Sequence, residues 1–338
     1  MPSINMGDMG DMGDVGNMSG GGGRIGMVQP DRVDLPFVGD RSGGVGRLDA
    51  HGEWTWEPDS EAADGKKIDL NSLVDTSAQW RRRDWAAEWW AWLVVSEFAA
   101  TSHWRDRIKL KLWAPDYQQQ EIDNLIRMAQ DERPDALSEI VAQGATYEDF
   151  MAYFLSLLKM TPGSCPATYL LLHVAGLVGI MVTMYFKQNP DGKSEGARDK
   201  LPPRARPSQI CPALMPPIAV PGHPSFPSGH ATQSMLMALC AGEAMVGRSP
   251  PTNGSTSTGG WPSLLQTLAR RIATNREIAG LHFRSDSVAG FQLAMKTFNL
   301  LKDVSGFATI LTNAKKEWSP QASGQAPAAA PQPAPPAE

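Results

Sequence analysis

Residues 167–186 read ATYLLLHVAGLVGIMVTMYF, and the fold turns on what this run does. It approaches the roughly 20 apolar residues that a membrane-spanning helix needs. It has no comparable companion in the chain, and it carries His173, Gly176 and Gly179 within it. A helix that is apolar on every side also suits the centre of a helical bundle. The run is therefore read as a buried core helix, and no stable membrane insertion is expected.

The flanks support a helical bundle. Residues 1–30 combine a Met-Gly-Asp repeat with a glycine run and have little to bury, so a disordered tail is expected. Residues 319–338, SPQASGQAPAAAPQPAPPAE, form a Pro/Ala tail expected to be extended. Between them, residues 31–318 read as a single all-α domain, a multi-helix bundle in which strand signals are scarce. Helices are expected over 117–130, 135–143, 146–159, 229–246, 263–279 and 285–301, with the Thr146-x-x-Asp149 start of the third resembling a capping box. Seven of the eleven tryptophans fall between Ser77 and Trp113, and Trp85, Trp89 and Trp92 recur at helical spacing. That stripe is read as a helix anchoring itself with large apolar side chains rather than as a base-stacking platform.

Bulk composition narrows the classes. Hydrophobic residues make up 42% and charged residues 20%, an ordinary globular balance. A net charge of -5 gives no support to nucleic-acid binding. Cys165, Cys211 and Cys240 form no CxxC pair, so neither a disulfide framework nor a zinc site is expected. The first residues lack a basic stretch followed by an apolar core, and a cytoplasmic location is the expectation.

Three stretches carry the chemistry. The loop before Pro207 reads RARP and offers Arg204 and Arg206, with Lys200 upstream; guanidinium forks suit tetrahedral oxyanions. The stretch PGHPSFPSGHATQS, residues 221–234, places Ser228 and Gly229 at a helix entry, where backbone amides and the helix dipole favour an anion. His230 on the first turn is placed to reach the same anion as a proton donor, and His223 precedes it by seven residues. In NREIAGLHFRSDSVAG, Arg276, His282 and Asp286 are separated by five and three residues, so Asp286 can accept Nδ1–H and leave Nε2 for an electrophile. Each stretch alone has an ordinary alternative: solvated arginines, a serine N-cap, and a capping aspartate beside a histidine.

In this order and spacing the three stretches resemble the type 2 phosphatidic acid phosphatase and vanadium-dependent haloperoxidase superfamily, over about residues 200–290. The resemblance implies that Lys200, Arg206, Ser228, Gly229 and Arg276 bind the oxyanion. His282 is then the nucleophile toward phosphorus or the apical ligand of vanadium, Asp286 orients it, and His230 is the acid/base. Two positions depart from the pattern. Asp199 stands where the first-motif lysine is expected, with Lys200 one residue too close, and Asn275 replaces the usual serine before Arg276.

Phosphoester hydrolysis through a phosphohistidine, with a small phosphate ester as partner and no cofactor, is the expectation taken forward. It needs no unusual cofactor, and the superfamily is mostly phosphatases. The alternative is a vanadate-dependent haloperoxidase of the bromide type acting on a halide and hydrogen peroxide, for which His223 is the clue. A third reading is a phosphate- or vanadate-binding protein without turnover.

Overall fold

The structure is a computed structural model that describes residues 44–48, 54–58, 86–144, 146–193, 201–248 and 260–319. The expected tails at 1–30 and 320–338 and the residue Lys200 lie outside the described residues. The chain divides into two units, Met1–Ala86 and Ala87–Glu338.

In the first unit, strands β1 (Gly44–Leu48) and β2 (Trp54–Pro58) pair antiparallel, with Gly44 opposite Pro58 and Leu48 opposite Trp54. The sequence reading missed both. WTWEP does alternate aromatic and β-branched residues, a strand preference, but over only five residues.

The second unit is all-α, as expected. Its helices are α1 (Ala87–Thr101), α2 (Trp104–Arg107), α3 (Gln118–Asp131), α4 (Arg133–Ala142), α5 (Tyr147–Leu158), α6 (Pro166–Gln188), α7 (Pro207–Ile210), α8 (Gly229–Ala244), α9 (Gly260–Ile278), α10 (Arg284–Leu301) and α11 (Ser305–Glu317). Helix α8 is the hub and packs against α6, α9 and α10, while α1 and α11 cover the other side of α6.

Helix α6 contains the run that decides the fold. Its apolar window has a mean hydropathy of 1.9, enough to cross a membrane, yet 72% of that window is buried against the rest of the unit. Its glycine answers a packing need, because a Cβ on Gly176 would lie 2.3 Å from the Tyr147 ring. The Gly176 carbonyl accepts a hydrogen bond from Gln233 Nε2 of α8 at 3.0 Å. His173 is a core residue, its Nδ1 2.9 Å from the Tyr147 hydroxyl and its pKa pushed down to about 4 by burial. The start of α6 is closed from a distance. Glu317, the last residue of α11, accepts from the amides of Ala167 and Thr168 at 2.6 and 2.9 Å, placing a carboxylate at the positive end of the helix. Helix α11 itself was not anticipated.

The capping pattern at Thr146 holds, with its amide 3.3 Å from the Asp149 carboxylate. The tryptophan reading needs correction. Trp89 and Trp92 are 54% and 45% exposed, and α1 is anchored instead by Ala91, Val94, Val95 and Phe98. Those four residues form the i, i+3, i+4, i+7 stripe, and the two tryptophans stand outside it. Trp85 lies outside the described residues.

Candidate active site

Arg206, His223, His282 and Asp286 form one connected group. His282 lies in the short link between α9 and α10, and Asp286 is in the first turn of α10, where its carboxylate also accepts the Phe283 amide at 2.9 Å. The His282 Nδ1 faces Asp286 Oδ2 at 3.4 Å, the pairing that the four-residue spacing predicted. Asp286 is fully buried. Its other oxygen accepts from Arg204 Nη1 at 2.7 Å, and the Ser225 hydroxyl donates to Oδ2. Burial alone would raise the Asp286 pKa, but the His282 contact and the Arg204 charge outweigh it and hold the group down to about 2. His282 is moved the other way, well below the usual imidazole range. Burial is the main cause, and the Arg206 and Lys187 charges add to it against the Asp286 hydrogen bond. The pair at neutral pH is thus a carboxylate and a neutral imidazole whose Nε2 is 3.5 Å from Arg206 Nη1.

Arg206 is 1% exposed and held by backbone. Its Nε donates to the His223 carbonyl and its Nη1 to the Leu281 carbonyl, both at 3.0 Å. Its Nη2 lies 3.0 Å from His223 Nδ1. Nδ1 also lies 3.3 Å from the Pro224 carbonyl; a guanidinium only donates, so the shorter contact to Arg206 assigns Nδ1 as acceptor and the His223 proton to Nε2. Burial, with the Lys187 and Arg206 charges, pushes the His223 pKa down to about 4.

A second group forms around the connection between α4 and α5. His230 Nε2 lies 3.1 Å from the Gly144 carbonyl and 3.3 Å from that of Gln143, so this nitrogen carries the proton and Nδ1 is the one left for a ligand. Arg276 Nη2 donates to the Ile140 carbonyl at 2.5 Å and to Gln143 Oε1 at 3.3 Å. Among the described residues, Arg276 Nε is buried without a partner. Burial pushes Arg276 down to about 10. Burial, then the Arg276 charge, pushes His230 to about 3, with Arg206 adding to the effect. Asn275, in the serine position, donates to Glu139 of α4 at 2.9 Å and so ties α9 to α4 beside Arg276.

Ser228 joins the two motifs through its backbone, its amide donating to the Asp286 carbonyl at 3.1 Å. Its hydroxyl accepts from the Ala231 amide at 3.4 Å as the N-cap of α8. The amides of Gly229 and His230 precede the first intrahelical bond, from Thr232 N to the Ser228 carbonyl. Gly290 lets α10 approach this turn, since a Cβ there would lie 2.8 Å from the Ser228 carbonyl oxygen.

Sequence reasoning missed several members. Arg204 was offered beside Arg206 as an oxyanion ligand and then given no role, yet it is 4% exposed, bridges Asp286 and Glu121, and lies 3.8 Å over the Phe283 ring. Glu121 of α3 also accepts the Ser285 amide at 2.7 Å. Gln143 and Ser225 were not singled out, and neither was Lys187, the one charged residue near the end of the apolar run of α6. That position was the only available signal among them, because Glu121 and Gln143 come from segments remote in sequence.

Residues 162–308 match the PAP2 superfamily, a superfamily of phosphoesterases and haloperoxidases whose members are mostly phosphatases, and the match supports membership of the chain in it. The match takes in all three stretches and the core helix α6. Comparison with curated proteins gave no match.

Proposed function

We propose that the chain hydrolyses a small phosphate ester through a phosphohistidine at His282. The observation that carries this reading is the neutral imidazole of His282, with Nδ1 against the Asp286 carboxylate and Nε2 beside the Arg206 guanidinium. In the first step Nε2 attacks phosphorus, the P–N bond forms and the ester P–O bond breaks. The leaving oxygen takes the Nδ1 proton of His230, which enters the step as the imidazolium and leaves it neutral, and Asp286 stabilises the charge that appears on the His282 ring. In the second step His230 takes a proton from water, whose oxygen attacks phosphorus, breaking the P–N bond and releasing phosphate. Arg206, Arg276 and the amides of Gly229 and His230 supply donors for the oxygens that gain charge. Burial first, and then the Arg276 and Arg206 charges, depress His230; a dianion held by those arginines offsets the charge contribution and raises its proton affinity toward the acid role.

The test is hydrolysis of p-nitrophenyl phosphate without added metal. Turnover by the purified protein supports the reading, and its absence at any pH between 5 and 8 would count against it.

The contact of His223 with Arg206 favours a second reading, haloperoxidase activity. Vanadate has the same tetrahedral shape as phosphate, and the unpartnered Arg276 Nε with the neutral His282 suits either oxyanion. His282 would hold it through Nε2, with Arg206 and Arg276 against its oxygens. When bound, it supplies activation of peroxide toward halide. Bromide oxidation after vanadate addition, without phosphatase turnover, would favour this second reading. Phosphate binding with neither activity would leave a binding protein.

A further inference from the structure

Lys187 ends the apolar helix α6 and is 2% exposed. Its Nζ donates to the backbone carbonyls of Pro224, Ser225 and Pro227 at 2.6, 3.1 and 2.8 Å. An ammonium has three N–H donors and no acceptor, so these three carbonyls use it completely. It has no proton left to offer a ligand. Burial, and then the Arg206 charge, hold its pKa well below the usual lysine value against the pull of Asp286, so an ammonium here is an expensive way to close an apolar helix.

The three carbonyls belong to the segment 224–227, which connects two parts of the site. On one side is His223, whose carbonyl and ring hold Arg206. On the other is Ser228, the N-cap of α8. In the middle is Ser225, whose hydroxyl donates to Asp286 and whose amide donates to the Arg204 carbonyl at 2.9 Å. One side chain therefore fixes the backbone between Arg206's support and the helix entry.

We propose that Lys187 is the positioning residue of the oxyanion site, acting through the 224–227 backbone rather than by touching the anion. The inference rests on the oxyanion-site reading above. The resemblance gave the first-motif cation to Lys200, six residues before Arg206; Lys187 stands nineteen residues before it and enters from the helix instead. The charge also faces Arg206, His223, His282 and Asp286, the members of the first group.

The experiment is calorimetric binding of inorganic phosphate to the full chain, as wild type, Lys187→Met and Lys187→Arg, at a temperature well below unfolding. The expected result is a folded Lys187→Met with phosphate affinity reduced by roughly tenfold or more, and recovery of at least about threefold in Lys187→Arg, which restores charge and donors. A purely structural lysine would change the melting temperature without this ordering of affinities. Lys187→Met binding phosphate within about twofold of wild type overturns the proposal, as does a folded Lys187→Arg no better than Lys187→Met. If Lys187→Met does not fold, Lys187→Gln is measured in its place against the same thresholds. Wild type that binds phosphate without hydrolysing p-nitrophenyl phosphate removes only the hydrolytic reading, and the lysine comparison still decides. Wild type that binds neither phosphate nor vanadate overturns both.

Discussion

The two sides of the candidate site differ in how fully their polar atoms are used. On the carboxylate side, both oxygens of Asp286 accept, from Arg204, Ser225 and the Phe283 amide, while facing His282, and Arg204 is bound in turn by Glu121, with its own Nε left without a partner among the described residues. On the guanidinium side, Arg276 Nε has no partner among the described residues, and the amides of Gly229 and His230 precede the first intrahelical bond of α8. A buried carboxylate that accepts on both oxygens is fixed in its geometry. Donors free of protein acceptors are what a bound oxyanion would complete. One side holds the nucleophile still, and the other waits for charge.

The largest effect that can break this comparison is the loss of His282 itself. His282→Ala is expected to lower phosphatase turnover by at least about a thousandfold while leaving the fold intact by circular dichroism. Turnover within tenfold of wild type would remove the nucleophile from the account.

The sharper contrast sets Arg204→Met against Arg276→Met. Arg204→Met strips a cation from a buried carboxylate and is expected to cost about 3 kcal/mol in urea unfolding. Arg276→Met removes a guanidinium held by the Ile140 carbonyl and Gln143 rather than by a buried carboxylate, and its stability loss should be less than half as large. Its phosphate affinity should nevertheless fall by roughly tenfold or more. Reversed stabilities would mean the two sides had been assigned the wrong way round.

The next effect is pH dependence. His173, His223 and His230 have folded pKa values depressed to about 4, about 4 and about 3. The unfolded chain therefore binds more protons as pH falls below about 6.5, and stability decreases on acidification. The melting temperature should drop by on the order of 10 °C between pH 7 and pH 5. Asp286 adds its own loss only further down, as pH falls from about 4 toward about 2, because its folded pKa is depressed from the ordinary carboxylate value. A melting temperature that is flat between pH 7 and pH 5 would contradict neutral buried histidines.

The smallest effect belongs to His223→Gln. His223 supports Arg206 through a carbonyl that the substitution keeps, so phosphatase turnover should change by about tenfold or less. A larger loss would move His223 into direct contact with the reacting group.

Much of this arrangement was legible in the sequence because it is local. The His282–Asp286 spacing, the Ser228 cap and the Thr146 capping pair are contacts within one turn, and helical periodicity fixes them. The apolar run of α6 could be assigned to a core because it stood alone and contained glycines. What escaped were contacts across long sequence separations. Glu121 reaches Ser285 and Arg204, Glu317 reaches the start of α6, and Lys187 reaches Pro224, each through packing that no local pattern encodes. The tryptophan stripe on α1 failed for a related reason. Size made Trp89 and Trp92 look like anchors, whereas the buried face is set by which stripe meets α6.

The central claim is a covalent phosphohistidine, and trapping it is the most direct measurement. Wild-type protein mixed with a radiolabelled phosphate ester and quenched in base should carry label that is stable to alkali, lost in acid and absent in His282→Ala. Steady turnover with no trapped label, or label retained in His282→Ala, would contradict it.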